Sequence, residues 1–298
     1  MSVFGEERFQ FGRTGLTGIT HAYGVDYRPG GWTFNFSGEN GEVDTFERNA
    51  VSASLGYGGE RFQWGGQLEF RKDEAINSND ERNTRLYRLT AKYQANDEWR
   101  FQAKYNRAFS DQTNSSIGPV DFREAEFTEA SLSAAYRPIW DDRLNILTKL
   151  VYLEDLSPTS QRFDGEVLNY RQRSQFGSID VSYDLFKRWT IGGKYAYRQG
   201  EVTSNRESLD FTQSQADLSV VRLDYHLTHR WDALIEGRYL SIGDGIISRK
   251  GGLFGVYRHV NDQFKLGGGF AWGGIEERYL GVREDENLQW YMNLIGKF

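Results

Sequence analysis

Six segments of this chain alternate small or apolar residues with mostly polar ones and end in tyrosine. They are VSASLGY at 51–57, YRLTAKY at 87–93, ASLSAAY at 130–136, GSIDVSY at 177–183, SVVRLDY at 219–225 and GGLFGVY at 251–257. A few residues after such a tyrosine, a matching segment starts with Trp or Phe. These are FQWGGQL at 62–68, WRFQAKY at 99–105, WTIGGKY at 189–195, WDALIEG at 231–237 and FKLGGGF at 264–270, with WTFNF at 32–36 as an earlier copy. Period-2 alternation over this length specifies extended strands with two unlike faces. The short gap between each pair reads as a tight turn, so consecutive strands run antiparallel.

The repeat places aromatics at strand ends rather than strand centres. Tyr27, Tyr57, Tyr93, Tyr136, Tyr183 and Tyr225 close strands, as Tyr257 is expected to. Trp32, Phe62, Trp99, Trp189, Trp231 and Phe264 open them, and Phe298 ends the chain. The last stretch, LQWYMNLIGKF at 288–298, alternates in the same way up to that final aromatic. A row of Tyr and Trp at strand ends is an interfacial girdle, the arrangement of strands that cross a membrane.

Composition agrees. The mean hydropathy is polar, and no apolar run approaches the ~20 residues a spanning helix needs, yet 15% of residues are aromatic. A membrane barrel reconciles the two, because only alternate strand residues meet lipid. The four prolines, Pro29, Pro119, Pro138 and Pro158, fall in expected turns or loops, where a ladder tolerates a missing N–H. There is no cysteine, which excludes thiolate chemistry. A formal net charge of -6 argues against nucleic acid as a partner.

Seven tight turns, near 28–31, 58–60, 95–98, 137–142, 184–188, 226–230 and 258–262, separate seven strand pairs. An opening strand around ERFQF at 7–11 and the closing strand to Phe298 bring the count to about sixteen. The expected fold is all-β: one closed, up-and-down, antiparallel transmembrane β-barrel over 1–298. Its turns are short on the periplasmic side. Longer extracellular loops are expected at roughly 37–45, 71–84, 107–124, 154–172, 199–215, 241–250 and 273–286. No secretory leader is evident, so the chain is expected to be a mature form or the C-terminal part of a longer one.

The second half carries a more specific likeness. YDLFKRWTIGGKYAYR at 183–198, HRWDALIEGR at 229–238, VYRHV at 256–260 and NLIGKF at 293–298 resemble the C-terminal barrel regions of large Gram-negative outer-membrane surface proteins. In those, repeated extracellular-type domains precede the barrel. The resemblance covers about 85–298 and implies architecture, an outer-membrane location and no catalytic residues.

Strand phase then assigns the lumen. If Trp189, Ile191 and Tyr195 face lipid, Lys194 and Arg198 face inward. The same phase turns Arg61, Glu69, Arg71, Arg88 and Lys92 inward, followed by Arg100, Lys104 and Lys149. Further along it adds Asp180, Arg222, Asp224, Glu236, Arg238 and Lys265. A lipid-facing Lys or Arg near the midplane costs roughly 2–4 kcal/mol, which supports the inward assignment. The expected wall is net basic, and the chain's acidity falls to loops such as those carrying Asp73, Glu74, Asp80 and Glu81.

No catalytic, cofactor-binding or metal-ligating pattern is read. His226, His229 and His259 are expected in tight turns, and His21 outward near the outer leaflet. The acidic loop clusters lack the ordered spacing of a dedicated calcium loop. The functional expectation is a non-enzymatic, water-filled pore for passive diffusion of small polar solutes, with a weak anion bias. The alternatives are a membrane anchor for N-terminal surface domains and an export channel for a polysaccharide or other polymer. Expected partners are outer-membrane lipid, lipopolysaccharide and, through the terminal strand, the barrel assembly machinery. The sequence does not address oligomeric state.

Overall fold

The computed structural model describes residues 1–12, 15–43, 45–78, 80–114, 120–156, 162–163, 166–167, 171–203, 210–228, 230–243, 247–260, 264–273, 275–276, 281–282 and 289–296. Lys297 and Phe298 lie outside them, as does His229.

The described residues form strands and turns with no helix. In chain order the strands begin with β1 (Ser2–Gly12), β2 (Gly15–Tyr27), β3 (Trp32–Val43), β4 (Phe46–Gly58) and β5 (Phe62–Ala75). They continue with β6 (Glu81–Gln94), β7 (Trp99–Asn114), β8 (Val120–Tyr136) and β9 (Leu144–Leu156). A two-residue pair follows, β10 (Arg162–Phe163) and β11 (Glu166–Val167). Then come β12 (Arg171–Phe186), β13 (Trp189–Thr203), β14 (Thr212–Thr228), β15 (Trp231–Ile242), β16 (Ile247–His259) and β17 (Phe264–Trp272). A second short pair, β18 (Ile275–Glu276) and β19 (Gly281–Val282), precedes β20 (Gln289–Gly296).

Sixteen of these strands make one sheet in which each pairs antiparallel with its chain neighbour, the two short pairs standing apart. The strand count and up-and-down order match the sequence reading. β1 and β20 are the two edges, and no ladder joins them among the described residues.

The bounds of two expected loops, 37–45 and 71–84, are a correction. β3 runs to Val43 and β4 resumes at Phe46, and β5 and β6 likewise extend through much of 71–84. Among the described residues, much of 37–45 and 71–84 is ribbon rather than loop. A membrane needs only about 9–11 residues per strand, so strands of 14 to 17 residues continue past the spanning zone. Cross-strand charge pairs satisfy these extensions: Arg48 Nε meets Asp73 Oδ1 at 2.9 Å, and Lys72 meets Glu81 at 3.1 Å. Hydropathy cannot tell such a ribbon from a loop.

Among the described residues, paired strands end at or within the expected tight turns. In the β2–β3 turn Gly30 takes φ +57°, which its lack of a Cβ allows, and Trp32 N donates to Pro29 O at 3.0 Å.

The register sorts the side chains into two faces. On one, Trp99, Phe101, Ala103 and Tyr105 sit opposite Tyr136, Ala134, Leu132 and Ala130. This face exposes large apolar groups along its length: Leu132 and Val221 are 61% exposed and Met292 80%. Burying each such side chain away from water is worth roughly 2 kcal/mol, so a sheet face built of them requires lipid rather than solvent.

Candidate functional site

The polar face is the candidate site. Unbroken register pairs carry one phase across neighbouring strands: Gln63 pairs with Lys92, Lys92 with Gln102, Gln102 with Ser133, Ser133 with Lys149 and Lys149 with Ser178. The adjacent row runs from Gln94 and Arg100 through Ala135 and Leu147 to Asp180 and Lys194. The same face holds Glu69, Arg71, Arg88 and Lys104. Beyond β12 it holds Arg198, Arg222, Asp224, Glu236, Arg238 and Lys265. These charged residues therefore share one side of the sheet. Arg61 precedes β5, in the β4–β5 turn, where its carbonyl accepts from Gln94 N at 2.7 Å.

Ion pairs neutralise part of this face. Lys104 Nζ lies 2.9 Å from Glu129, and Arg222 Nε lies 2.8 Å from Asp224. Arg71 reaches Asp73 at 3.2 Å, and Arg238 bonds Glu236. Near the tight turns of β14 to β17, the buried Asp232 carboxylate is held by His226 Nδ1 at 2.7 Å, His259 Nε2 at 2.8 Å and Lys265 Nζ at 2.5 Å. His226 and His259 were expected in turns, but both belong to strand ends, on β14 and β16. Asp232 shares the strand phase of Glu236 and Arg238. The sequence carries no sign that three strand ends converge on it.

Other cations on this side have no carboxylate partner among the described residues. Lys92, Arg100 and Arg198 make no ion pair, nor does Arg61 in its turn, and Arg88 is held by Gln67 at 3.4 Å. Arg61, Lys92 and Arg100 line one concavity of about 480 Å³.

The polar face is not uniformly polar. Ala196, Leu218, Val220 and Leu240 form a buried cluster on it, with Phe176 and Ile242 packed against them. Leu240 is 1% exposed. Sequence reading missed this cluster because alternation reports which face a residue takes, not whether that face is wet at that point.

Apart from Tyr257, the described residues expected in the girdle share the apolar face. Trp32 packs on Tyr57 at 5.0 Å, Phe62 on Tyr93 at 6.5 Å, and Trp189 on Tyr225 at 4.3 Å between ring centroids. Tyr27 pairs with Phe34 and Tyr183 with Ile191 in the same phase, and Phe264 opens β17 in it. Phe298 lies outside the described residues. Tyr257 is a correction. It pairs with Asp232, on the polar face, and its hydroxyl lies 3.1 Å from that of Tyr291. Two glycines make room for the inward rings. A Cβ on Gly267 would stand 2.1 Å from the Tyr257 ring, and one on Gly255 would stand 2.3 Å from the Tyr291 hydroxyl. Gly269 is crowded in the same way by the β16 backbone. The space left by missing side chains takes the rings, and Arg258 instead covers Trp231 at 5.7 Å.

Comparison with known proteins gives fold and no more. The siderophore receptor PirA from Acinetobacter baumannii aligns over 85% of this chain and 43% of its own, at 11% identity and TM-score 0.56. The ferric-catecholate import receptor Fiu from E. coli K12, in its closed form, aligns over 99% and 61%, at 10% identity and TM-score 0.56. The alcaligin outer-membrane receptor FauA from Bordetella pertussis aligns over 92% and 58%, at 9% identity and TM-score 0.50. The fold is that of an outer-membrane β-barrel. The chain spans about half the length of these receptors. No protein-family model matches it, and no curated protein is detectably similar to it.

Proposed function

We propose that this protein is a water-filled, non-enzymatic pore of a Gram-negative outer membrane that passes small polar solutes with a weak preference for anions. In this reading β1 and β20 close on each other, the apolar face meets lipid and the polar face surrounds the channel. Sixteen strands are enough to leave an aqueous lumen rather than a packed core.

The observation that carries the reading is the imbalance of charge on the polar side. Most of its acids are taken: Glu129, Asp224, Asp232 and Glu236 each hold a cation. Lys92, Arg100, Arg198 and the turn residue Arg61 hold none among the described residues. Salt screens their fields within about 10 Å at 0.1 M, so a wide channel gains only mild selectivity. The inward apolar cluster narrows the wet part of the wall toward β4 to β9.

Reversal potentials of single channels in a KCl gradient test this. A mild anion preference that grows at low salt is expected, and a clear cation preference contradicts it. Insertions that conduct nothing favour the anchoring role instead.

A further inference from the structure

We propose that the concavity between β5 and β9 is a binding site for a small, hydroxyl-rich carboxylate, a sugar acid in chemical class. The proposal rests on the pore reading for access, since the concavity opens on the polar face.

Three cations point to the acid group. Lys92 on β6 and Arg100 on β7 are diagonal neighbours across adjacent strands, because Lys92 pairs with Gln102 and Gln94 with Arg100. Arg61 is fixed beside them by the backbone bond from Gln94 N to Arg61 O at 2.7 Å. None of the three makes an ion pair among the described residues. Like charges set side by side across strands destabilise a sheet. Elsewhere this protein avoids that cost: Lys104, on the same β7, is matched by Glu129 at 2.9 Å. Around Lys92 the opposing positions are Gln63 and Gln102, amides that leave the charge unspent. Glu60, at the turn, is the carboxylate lining the concavity, and it pairs with none of the three.

The rest of the lining points to hydroxyls and a ring. Gln63, Gln94 and Gln102 each offer an amide that both donates and accepts, and Ser133 adds a hydroxyl. An inorganic anion needs donors only, whereas a polyol needs both. Leu147, half exposed on this otherwise polar surface, forms the floor toward β9 and offers an apolar contact for the C–H face of a pyranose ring. A volume of about 480 Å³ is ample for a monosaccharide.

The experiment uses the whole chain in planar bilayers at low salt, with D-glucuronate, glucose and inorganic phosphate as probes. Calorimetric titration of the detergent-solubilised protein with the same probes runs in parallel. Glucuronate is expected to bind and to reduce conductance saturably, glucose not to, and phosphate to act more weakly. Lys92→Gln with Arg100→Gln should weaken glucuronate about tenfold or more, the loss expected for removing charge-assisted hydrogen bonds. Lys250→Gln, on the other face, should change nothing. If no channel conducts but calorimetry shows glucuronate binding that the double variant loses, the site stands and the pore reading falls. If channels conduct but glucuronate acts no differently from glucose, the site is overturned. The same holds if phosphate equals glucuronate or the double variant responds like the unaltered protein.

Discussion

Trp99 opens β7 and Tyr136 closes β8, and their rings meet with centroids 4.5 Å apart and planes at 33°. The two are direct cross-strand partners. The same relation joins Trp32 to Tyr57, Phe62 to Tyr93 and Trp189 to Tyr225. The aromatic that opens one strand is thus held by the tyrosine that closes the next. The residue just before its own tight turn is not its partner. The girdle is stapled pairwise through hairpins whose far ends lie on the opposite side of the membrane.

Such a pair contributes about 0.5–1.5 kcal/mol beyond its buried area. A double-mutant cycle of Trp99→Ala and Tyr136→Ala, followed by urea unfolding in detergent, is expected to show coupling of about 1 kcal/mol. The cycle of Trp99→Ala with Tyr93→Ala, across the tight turn, should stay within about 0.3 kcal/mol of additive. Equal coupling in both cycles contradicts the pairing.

The inward turn of Tyr257 makes Gly267 sensitive. Gly267→Ala places a methyl 2.1 Å from that ring and should cost about 1–3 kcal/mol in the same unfolding assay. Gly193→Ala, whose Cβ meets nothing within 4 Å, is expected to be neutral or slightly stabilising. If the two substitutions behave alike, Tyr257 belongs to the girdle after all.

Sequence phase made most of this legible, and its failures have local causes. The strand count, the tight turns and the shared face of Lys92, Arg100, Lys104 and Lys194 followed from alternation alone. Tyr257 was misassigned because three of the seven residues of its segment are glycine, so its alternation carries little information and the odd shift that flips a strand goes unseen. The Ala196–Leu218–Leu240 cluster was missed because neighbouring strands each contribute one or two inward apolar residues, too few to register along any one strand. The concavity at Lys92 depends on which strand residue opposes which. That is a property of register, and alternation specifies phase only.

The β8–β9 turn carries a pH-dependent tie. Hydrogen bonds from the Arg143 guanidinium, Nε at 2.7 Å, hold the Asp141 carboxyl below its ordinary value of 3.8. A depressed carboxyl stabilises the fold above its ordinary value, and that contribution disappears as pH falls through the lower, folded value. Carboxyl carbon shifts of Asp141 should therefore titrate with a midpoint under 3.8. Arg143→Gln should return the midpoint toward the ordinary value. A midpoint at or above 3.8 in the unaltered protein contradicts the tie.

Closure of the barrel is testable through its edges. β1 and β20 each expose apolar residues of the lipid-facing phase, Val3 and Phe9 on one and Trp290 and Leu294 on the other. Because the chain has no cysteine, single cysteines can be placed freely. Pairs drawn from β1 and β20 are expected to form intramolecular disulfides in membranes, at one register only. Cross-links that form only between molecules contradict closure of one chain on itself.

In the proposed pore, the polar face lines water that crosses the membrane. The most direct measurement compares two neighbours on β7, Gln102→Cys and Ala103→Cys, in conducting bilayers treated with a charged, membrane-impermeant thiol reagent. Modification should change the current through channels carrying Gln102→Cys and leave those carrying Ala103→Cys unaltered. The reverse pattern, or no response at either position in an open channel, contradicts it.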